Sequence, residues 1–185
     1  GSSENRWCFA QFGDIALASN DTEAIQYSTA GTFAVVADAP KARIICTTKD
    51  FVLAFNTNDG PGSATYGDQS DRWWCSAFQD ALDWTPAVAT QCATGRLIGG
   101  GGEITAAAAF GSGAVAYKAR EMFLGVYAGP PSVFDWQRVP GDQGCVGPEA
   151  VVDIGGAHVF VGDDNIWLYD GSRPVPIAEQ TVRQW

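Results

Sequence analysis

Short apolar runs separated by glycine-rich or polar turns follow one another along most of the chain. In residues 104–127 an apolar run, a glycine turn, a second apolar run, a polar turn and an aromatic third run succeed each other. Residues 150–171 repeat that order. Runs of this length bounded by turn residues are typical of β-strands, and no segment keeps the 3.6-residue period of an amphipathic helix. The pattern therefore predicts an all-β fold.

Two fainter copies of the same pattern begin near residues 7 and 43. The four strand–turn–strand openings centre near residues 13, 49, 112 and 155. Their average spacing of roughly 45 residues is close to the ~40–50 residues of β-propeller blades. Because one such unit cannot bury its own apolar face, the array sets the fold. We therefore predict a β-propeller that forms a single domain over residues 1–185 or belongs to a larger propeller. Its four blade-like repeats would span about 7–40, 42–98, 104–140 and 149–178.

The wide gap between the second and third copies holds two segments rich in turn residues. Residues 56–71 are rich in Gly, Asn, Asp and Ser, and residues 99–102 are all glycine. Such composition is typical of loops. We interpret both segments as insertions between strands, and residues 56–71 as a candidate surface for contacts between subunits.

Charge and cysteine content exclude several classes of function. The 185 residues include 21 Asp and Glu but only 11 Lys and Arg, a net charge of −10. Phosphate affinity comes from Lys and Arg, so we predict no specific nucleic-acid binding. No run of ~20 apolar residues predicts a membrane span. Five widely spaced cysteines without a Cys-x-x-Cys motif, and one histidine, predict free, mostly buried thiols and no zinc site or cofactor.

Candidate catalytic residues are few. His158 lies in a predicted strand, and no Gly-x-Ser-x-Gly elbow accompanies it, so a neutral core histidine is the favoured interpretation. Asp163 and Asp164 lie in a turn, where carboxylates bond nearby backbone N–H groups in preference to binding calcium. The other carboxylates considered for glycoside hydrolysis have similarly ordinary explanations: Glu103, Glu121, Asp135 and Asp142. We predict that the chain is not an enzyme.

Seven tryptophans are many for a chain of this size. Trp73 and Trp74 are adjacent and would point to opposite faces of a strand, which a sheet covered on both sides tolerates. Packing between sheets would use most of the others. Trp84 and Trp136 remain candidates for stacking on sugar rings. The alternative function is therefore a carbohydrate-binding, lectin-like propeller used for receptor recognition.

Residues 72–178 resemble the propeller region of bacteriophage virion proteins of the tail hub and nozzle type. The resemblance rests on the order of several short sequence segments. Residues 1–70 match only the alternation of strands and turns that a blade has. The segments are RWWCS (72–76), DWTP (83–86), ITAAAAF (104–110), GAVAYK (113–118), EMFLGVY (121–127), PPSVFDWQRV (130–139), GCVGPEAV (144–151), VFVGD (159–163) and IWLYDG (166–171).

This resemblance implies a structural role without chemistry. The chain would be a component of a phage tail, in the hub, nozzle or head–tail connector region. It would act as a rigid module in a homo-oligomeric ring around the DNA channel, with other virion tail proteins as partners. Its location would be the virion, after synthesis in the host cytoplasm. An acidic wall would then keep passing DNA from adhering.

Overall fold

The computed structural model describes residues 6–58 and 68–178. Over these residues the chain forms sixteen β-strands and one short 3-10 turn, Pro148–Ala150. The strands are β1 (Cys8–Phe12), β2 (Ile15–Ser19), β3 (Gln26–Ser28), β4 (Ala34–Val35), β5 (Lys41–Thr47), β6 (Val52–Asn58), β7 (Asp68–Cys75), β8 (Ala93–Arg96), β9 (Ile104–Phe110), β10 (Gly113–Lys118), β11 (Met122–Gly129), β12 (Val133–Arg138), β13 (Val151–Asp153), β14 (His158–Val161), β15 (Ile166–Tyr169) and β16 (Val175–Pro176).

The strands form four antiparallel sheets of four strands each, and every sheet follows the order of the chain. Sheet 1 contains β1–β4, sheet 2 β5–β8, sheet 3 β9–β12 and sheet 4 β13–β16. The all-β prediction is confirmed. The sheets follow the bounds of the four predicted repeats, except that β5 begins at Lys41, one residue before the second repeat. No described strand pairs with a strand of another sheet, so packing of side chains, together with a few backbone contacts such as the bridge between Ala24 and Lys41, joins the sheets.

Each sheet begins with a tight hairpin at the predicted place, near residues 13, 49, 112 and 155. In the first and third hairpins the turn contains a glycine with positive φ, Gly13 at 54° and Gly111 at 59°. Residues with a Cβ rarely adopt this conformation, so glycine permits the reversal within two residues. The pattern of polar and apolar residues located these turns, because the residues that form a tight turn are consecutive in the sequence.

Consecutive sheets pack face to face through three separate apolar clusters, one for each neighbouring pair. Strand β6 shows how one sheet serves two neighbours. Leu53 and Phe55 point toward sheet 3, whereas Val52 and Ala54 point toward sheet 1, and all four are fully buried. Successive side chains of a strand alternate between faces, so a strand that is apolar at every position suits a sheet covered on both sides.

The adjacent tryptophans of β7 follow the same rule. Trp73 belongs to the cluster between sheets 2 and 3, and Trp74 belongs to the cluster between sheets 1 and 2. The ring of Trp73 packs edge-on against Phe134 of β12, with centroids 5.9 Å apart. The prediction that the two rings point to opposite faces of one sheet is confirmed.

The first strands of the four sheets lie side by side. Strand β1 contacts β5, β5 contacts β9, and β9 contacts β13. Asn56, whose φ of 54° marks an irregularity in β6, donates from Nδ2 to the carbonyl oxygen of Ile104 at 3.0 Å and joins sheet 2 to β9. At the far end, Arg6 pairs with Glu149 at 2.7 Å, so the segment before β1 meets the turn before β13.

The predicted loop over residues 56–71 is shorter than expected. Residues 56–58 belong to β6 and residues 68–71 to β7, with Thr57 paired to Gln69 and Asn58 to Asp68. Polar residues of this kind favour turns, but cross-strand pairing continues the hairpin past them. Residues 59–67, the centre of the predicted loop, lie outside the described residues.

Candidate functional site

His158 is a structural link between sheets 3 and 4. Its side chain is completely buried; Nε2 lies 2.8 Å from the Ala109 carbonyl oxygen and Nδ1 lies 2.7 Å from the Tyr117 hydroxyl. A carbonyl only accepts, so Nε2 carries the proton and the Tyr117 hydroxyl donates to Nδ1. Burial lowers the pKa of His158, although the bond to Ala109 opposes that effect. Both nitrogens are occupied, and the imidazole has no free position for proton transfer.

The glycine run of residues 99–102 holds a carboxylate of the chain itself. Glu121, which is 7% exposed, accepts hydrogen bonds from the Gly100 and Gly101 amides at 3.2 and 3.1 Å. Arg138 approaches the same carboxylate at 3.3 Å. A methyl group at Gly101 would lie 3.0 Å from the Lys118 Cβ, so the close approach favours glycine. The Gly100 and Gly101 amides are thus engaged by Glu121 and are not open to a phosphate.

Lys118 is buried beside this carboxylate. Its side chain is 1% exposed, and its Nζ lies 5.6 Å from the centre of the Phe123 ring. Burial lowers the pKa of Lys118, and the nearby Asp71 and Glu121 carboxylates oppose that shift. Burial also works against ionisation of Asp71, but hydrogen bonds from Arg96 outweigh it, and the net effect is a lowered pKa. The charges at this end of sheets 2 and 3 therefore compensate one another.

The side chains of the acidic turn, residues 163–165, are bonded to other residues of the chain. Asp163 pairs with Arg120 at 2.8 Å, and Asp164 accepts from the Trp167 indole at 3.2 Å. Asn165 accepts from the Ile166 amide at 2.8 Å. Among the described residues no three His, Cys, Asp or Glu side chains converge as a metal site would require.

All five cysteines are free. Cys75, Cys92 and Cys145 are buried, and the other two are half-buried. Burial raises the pKa of Cys92 to about 12, while hydrogen bonding from Trp74 moderates the effect. Burial also raises the pKa of Cys46 to about 12. A thiolate is the reactive form of cysteine, so these groups are poor nucleophiles at neutral pH. The prediction of free, mostly buried thiols is confirmed.

The two tryptophans considered for sugar stacking lie in the apolar interior. Trp84 is completely buried, and its indole donates to the Ala81 carbonyl at 2.9 Å. Trp136 is half-buried between sheets 2 and 3, tilted against Trp73 with centroids 5.5 Å apart. Neither lies near the other, since Trp84 belongs to the cluster between sheets 1 and 2. The ring of Trp84 therefore offers no surface on which a sugar could stack.

Trp73 and Trp136 each cover a glycine of the neighbouring strand. A methyl group at Gly95 would lie 2.9 Å from the Trp73 indole nitrogen, and one at Gly125 would lie 2.6 Å from the Trp136 ring. The register pairs Trp73 with Gly95 and Trp136 with Gly125. A large ring over an opposing glycine fills the space that the missing side chain leaves. Packing therefore accounts for both rings without a ligand.

A cavity of about 520 Å³ lies beside the first strands, between Trp7, Arg43 and the 3-10 turn Pro148–Ala150. Its charged side chains are two arginines and one glutamate. Arg6 pairs with Glu149 at 2.7 Å, and Arg43 pairs with Glu103 at 3.3 Å. The charges around the cavity are thus balanced.

The face of sheet 4 that points away from sheet 3 is apolar across all four strands. Phe160, Trp167 and Tyr169 belong to the cluster shared with sheet 3, so their neighbours along the strands point outward. The register aligns a purely aliphatic row of outward residues: Val152, Val159, Leu168 and Val175. Val152 is 55% exposed and Val175 is 45% exposed.

The face of sheet 1 that points away from sheet 2 is also partly apolar. Its register aligns a row of Phe9, Ala18, Gln26 and Val35. Phe9 is 66% exposed and Val35 is 58% exposed. The two ends of the stack of sheets therefore both present apolar side chains that no described residue covers.

Sequence reasoning missed these two end faces, although a signal for one of them is present. Residues 158–161 and 166–169 are apolar or aromatic at nearly every position, as in the strands buried on both sides. Such a run is typical of a strand in a sheet that is buried on both faces. Only the structure shows that one of those faces is uncovered.

No model of a known protein family matches the sequence, and no curated protein matches it. In the described part of the chain, no helix is long and apolar enough to cross a lipid bilayer.

Proposed function

We propose that the chain is a structural component of a bacteriophage tail, in the hub, nozzle or head–tail connector region. In this role its four sheets are successive blades of a β-propeller, and the module is part of a homo-oligomeric ring around the DNA channel. The chain performs no chemistry, and its partners are other virion tail proteins.

One observation carries the proposal: four meanders of four strands follow one another, and each packs on the next. The first strands lie side by side from β1 to β13, as the inner strands of a propeller do. The short sequence segments within residues 72–178 resemble those of tail hub and nozzle proteins in the same order. This resemblance is the reason for proposing a phage tail.

The residues that most often carry chemistry are engaged in holding the sheets together. His158 bonds to Tyr117 and Ala109, and Glu121 is held by glycine amides. Stacked sheets with interlocking side chains form a stiff body, because tightly packed interiors yield little under load. Stiffness suits a part that must keep its place while DNA passes.

Purified virions of the phage that encodes the chain provide the test. Separated heads and tails should show peptides of this chain by mass spectrometry in the tail fraction alone, and antibodies against it should label the tail in electron micrographs. Detection only in infected cells, or only in the head fraction, would overturn the proposal.

A glycan array with the purified chain tests the lectin alternative. Reproducible binding that is lost on changing Trp136→Ala, in a variant that still unfolds at the wild-type temperature, would favour receptor recognition. Trp84→Ala is a poor probe of binding, because removal of this completely buried ring disturbs the core.

A further inference from the structure

The connection between the third and fourth strands is much longer in sheet 2 than in the other three sheets. It spans residues 76–92, whereas the equivalent connections of sheets 1, 3 and 4 span residues 29–33, 130–132 and 170–174. A hairpin needs only a few residues to reverse its direction, so the architecture of the sheets does not require this length. Long connections without strands or helices of their own are commonly binding loops. We call residues 76–92 the long loop.

The long loop is held in one shape by its own contacts. Trp84 is completely buried, and its indole donates to the Ala81 carbonyl oxygen at 2.9 Å. The Phe78 amide donates to the Thr90 carbonyl oxygen at 2.8 Å, which joins the beginning of the loop to its end. A loop that is already ordered binds a ligand without the entropic cost of becoming ordered.

Two glutamines of the long loop have left-handed backbone conformations. The φ angle is 56° at Gln79 and 60° at Gln91, a region that residues with a Cβ rarely adopt. The Gln79 amide donates to the Asp50 carbonyl oxygen at 2.8 Å. The side-chain oxygen of Gln91 accepts from the Tyr127 hydroxyl at 2.6 Å. Such conformations persist where the surrounding structure fixes them, and they are concentrated at binding sites.

An exposed aromatic ring adjoins these glutamines. Phe78 is 39% exposed, and its ring packs edge-on against the buried Phe51 with centroids 5.6 Å apart. The ring of Tyr127, which is half-buried, also packs on Phe51 with centroids 5.6 Å apart. Four residues therefore share one small area at the end of sheets 2 and 3, which we call the loop surface: Phe78, Gln79, Gln91 and Tyr127.

The two side-chain amides of the loop surface retain hydrogen-bonding capacity for a ligand. Gln79 donates from its amide nitrogen to the Asp50 carboxylate at 3.1 Å, so its amide oxygen is able to accept. Gln91 accepts through its amide oxygen, so its amide nitrogen is able to donate. Because one end of each planar amide is held, the other end points in a defined direction. The loop surface thus combines an apolar ring with an oriented acceptor and an oriented donor.

We propose that the loop surface binds a neutral saccharide. One face of a pyranose ring consists of C–H groups that pack on an aromatic ring, and the hydroxyls at its edge both donate and accept hydrogen bonds. A negatively charged sugar is disfavoured, because the Asp50 carboxylate adjoins Gln79 and the chain has a net charge of −10. Neither Trp84 nor Trp136 belongs to this surface. The proposal goes beyond the structural role proposed above and does not depend on it.

Saturation-transfer NMR on the full 185-residue chain tests the proposal, with a panel of neutral methyl glycosides and the corresponding disaccharides. At least one member should receive saturation from the protein, most strongly at the C–H groups of one ring face. The same member should shift the backbone amide signals of the loop surface in an isotope-labelled sample. This mapping uses the wild-type chain, so it does not depend on the folding of any variant.

Two variants measure the contributions of the ring and of the amide. Phe78→Ala should weaken binding by about 10-fold or more, because it removes the ring on which the sugar packs. Gln91→Leu should weaken it by about 3–10-fold, because it removes one oriented donor. The control is Phe9→Ala on sheet 1, which removes another exposed phenylalanine ring and should leave binding unchanged. Amide spectra show whether each variant is folded.

Any of three results would overturn the proposal. Absence of saturation transfer across the whole panel at millimolar concentration would exclude a neutral saccharide as the ligand. Amide shifts confined to residues outside the loop surface would place the sugar elsewhere on the chain. Equal weakening by Phe78→Ala and Phe9→Ala would show that the contact is not specific to the long loop. None of these results bears on the location of the chain in virions, which is tested separately.

Discussion

The interior of the stack of sheets and its end at sheet 4 use similar strands in different surroundings. In sheet 2 the row Ile44, Phe55 and Trp73 lies against sheet 3, and all three side chains are at most 5% exposed. The row of sheet 4 that points away from sheet 3 begins and ends with valines about half exposed. The comparison shows that a neighbouring sheet, and not the hairpins themselves, provides the burial.

The sharpest test of this difference is one substitution made in both regions. Leu53→Ala, in β6, should lower the free energy of unfolding by about 2–5 kcal/mol, because it opens a cavity in a packed interior. Leu168→Ala, in the row of sheet 4 that points away from sheet 3, should cost less, because Leu168 is half-buried whereas Leu53 is fully buried. Urea denaturation of both variants measures the two values. Equal losses would mean that this face of sheet 4 is covered as fully as the interior.

Glycine positions offer a second test within the interior. Gly113→Ala would press a methyl group against the Gly125 carbonyl of the adjacent strand and should cost about 1–3 kcal/mol. Gly147→Ala, before sheet 4, meets nothing within 4 Å and should change stability by less than about 0.5 kcal/mol. Thermal unfolding of the pair gives the comparison. Equal melting temperatures of the two variants would contradict the close packing of β10 on β11.

The link between sheets 3 and 4 depends on one buried hydroxyl. Tyr117→Phe leaves Nδ1 of His158 without its donor and should cost about 1–3 kcal/mol. Tyr127→Phe removes a bond to Gln91 at a half-buried position, where water can replace it, and the loss should be smaller. Denaturant titrations of both variants report the difference. A larger loss from Tyr127→Phe would contradict the assigned role of His158.

The same histidine predicts a mild dependence of stability on pH. Above pH ~6.5 it is neutral in both the folded and the unfolded chain, so its contribution is fully present. Below that pH the unfolded chain takes up a proton that the buried ring, with its lowered pKa, resists. Stability should therefore fall by at most about 1.4 kcal/mol per pH unit until the folded pKa is reached. Asp153 lies near enough to oppose the lowering.

His158→Gln removes this titration and serves as the control. The stability difference between wild type and variant should shrink as the pH falls from about 7.5 to 5.5, since only the wild type contains the titrating group. Denaturant midpoints of both proteins at several pH values provide the measurement. A difference that stays constant over this range would show that His158 does not titrate differently on folding.

Much of the fold could be predicted from local patterns. The hairpins near Gly13 and Gly111 follow from turn chemistry, and the opposite orientations of Trp73 and Trp74 follow from strand geometry. These features depend on a few consecutive residues. Alternation and turn composition are sufficient to locate them.

Other features depend on residues far apart in the chain. The continuation of β6 and β7 through residues 56–58 and 68–71 comes from cross-strand pairing, which composition does not show. The capture of Glu121 by the glycine run needs residues about 20 positions apart. The burial of Trp84 needs a core shared by sheets 1 and 2. Sequence patterns identify such residues but not their partners.

Photo-crosslinking between sheets 2 and 3 tests the stacking of the sheets most directly. A photoreactive phenylalanine analogue at Trp136 would lie against Phe55 and Trp73 of sheet 2, whose ring centroids are 5.8 and 5.5 Å from that of Trp136. Mass spectrometry would identify what the analogue captures, and we expect crosslinks to sheet 2 within the same chain. Crosslinks to sheet 1 or sheet 4 with none to sheet 2 would contradict the stacking of sheet 3 on sheet 2.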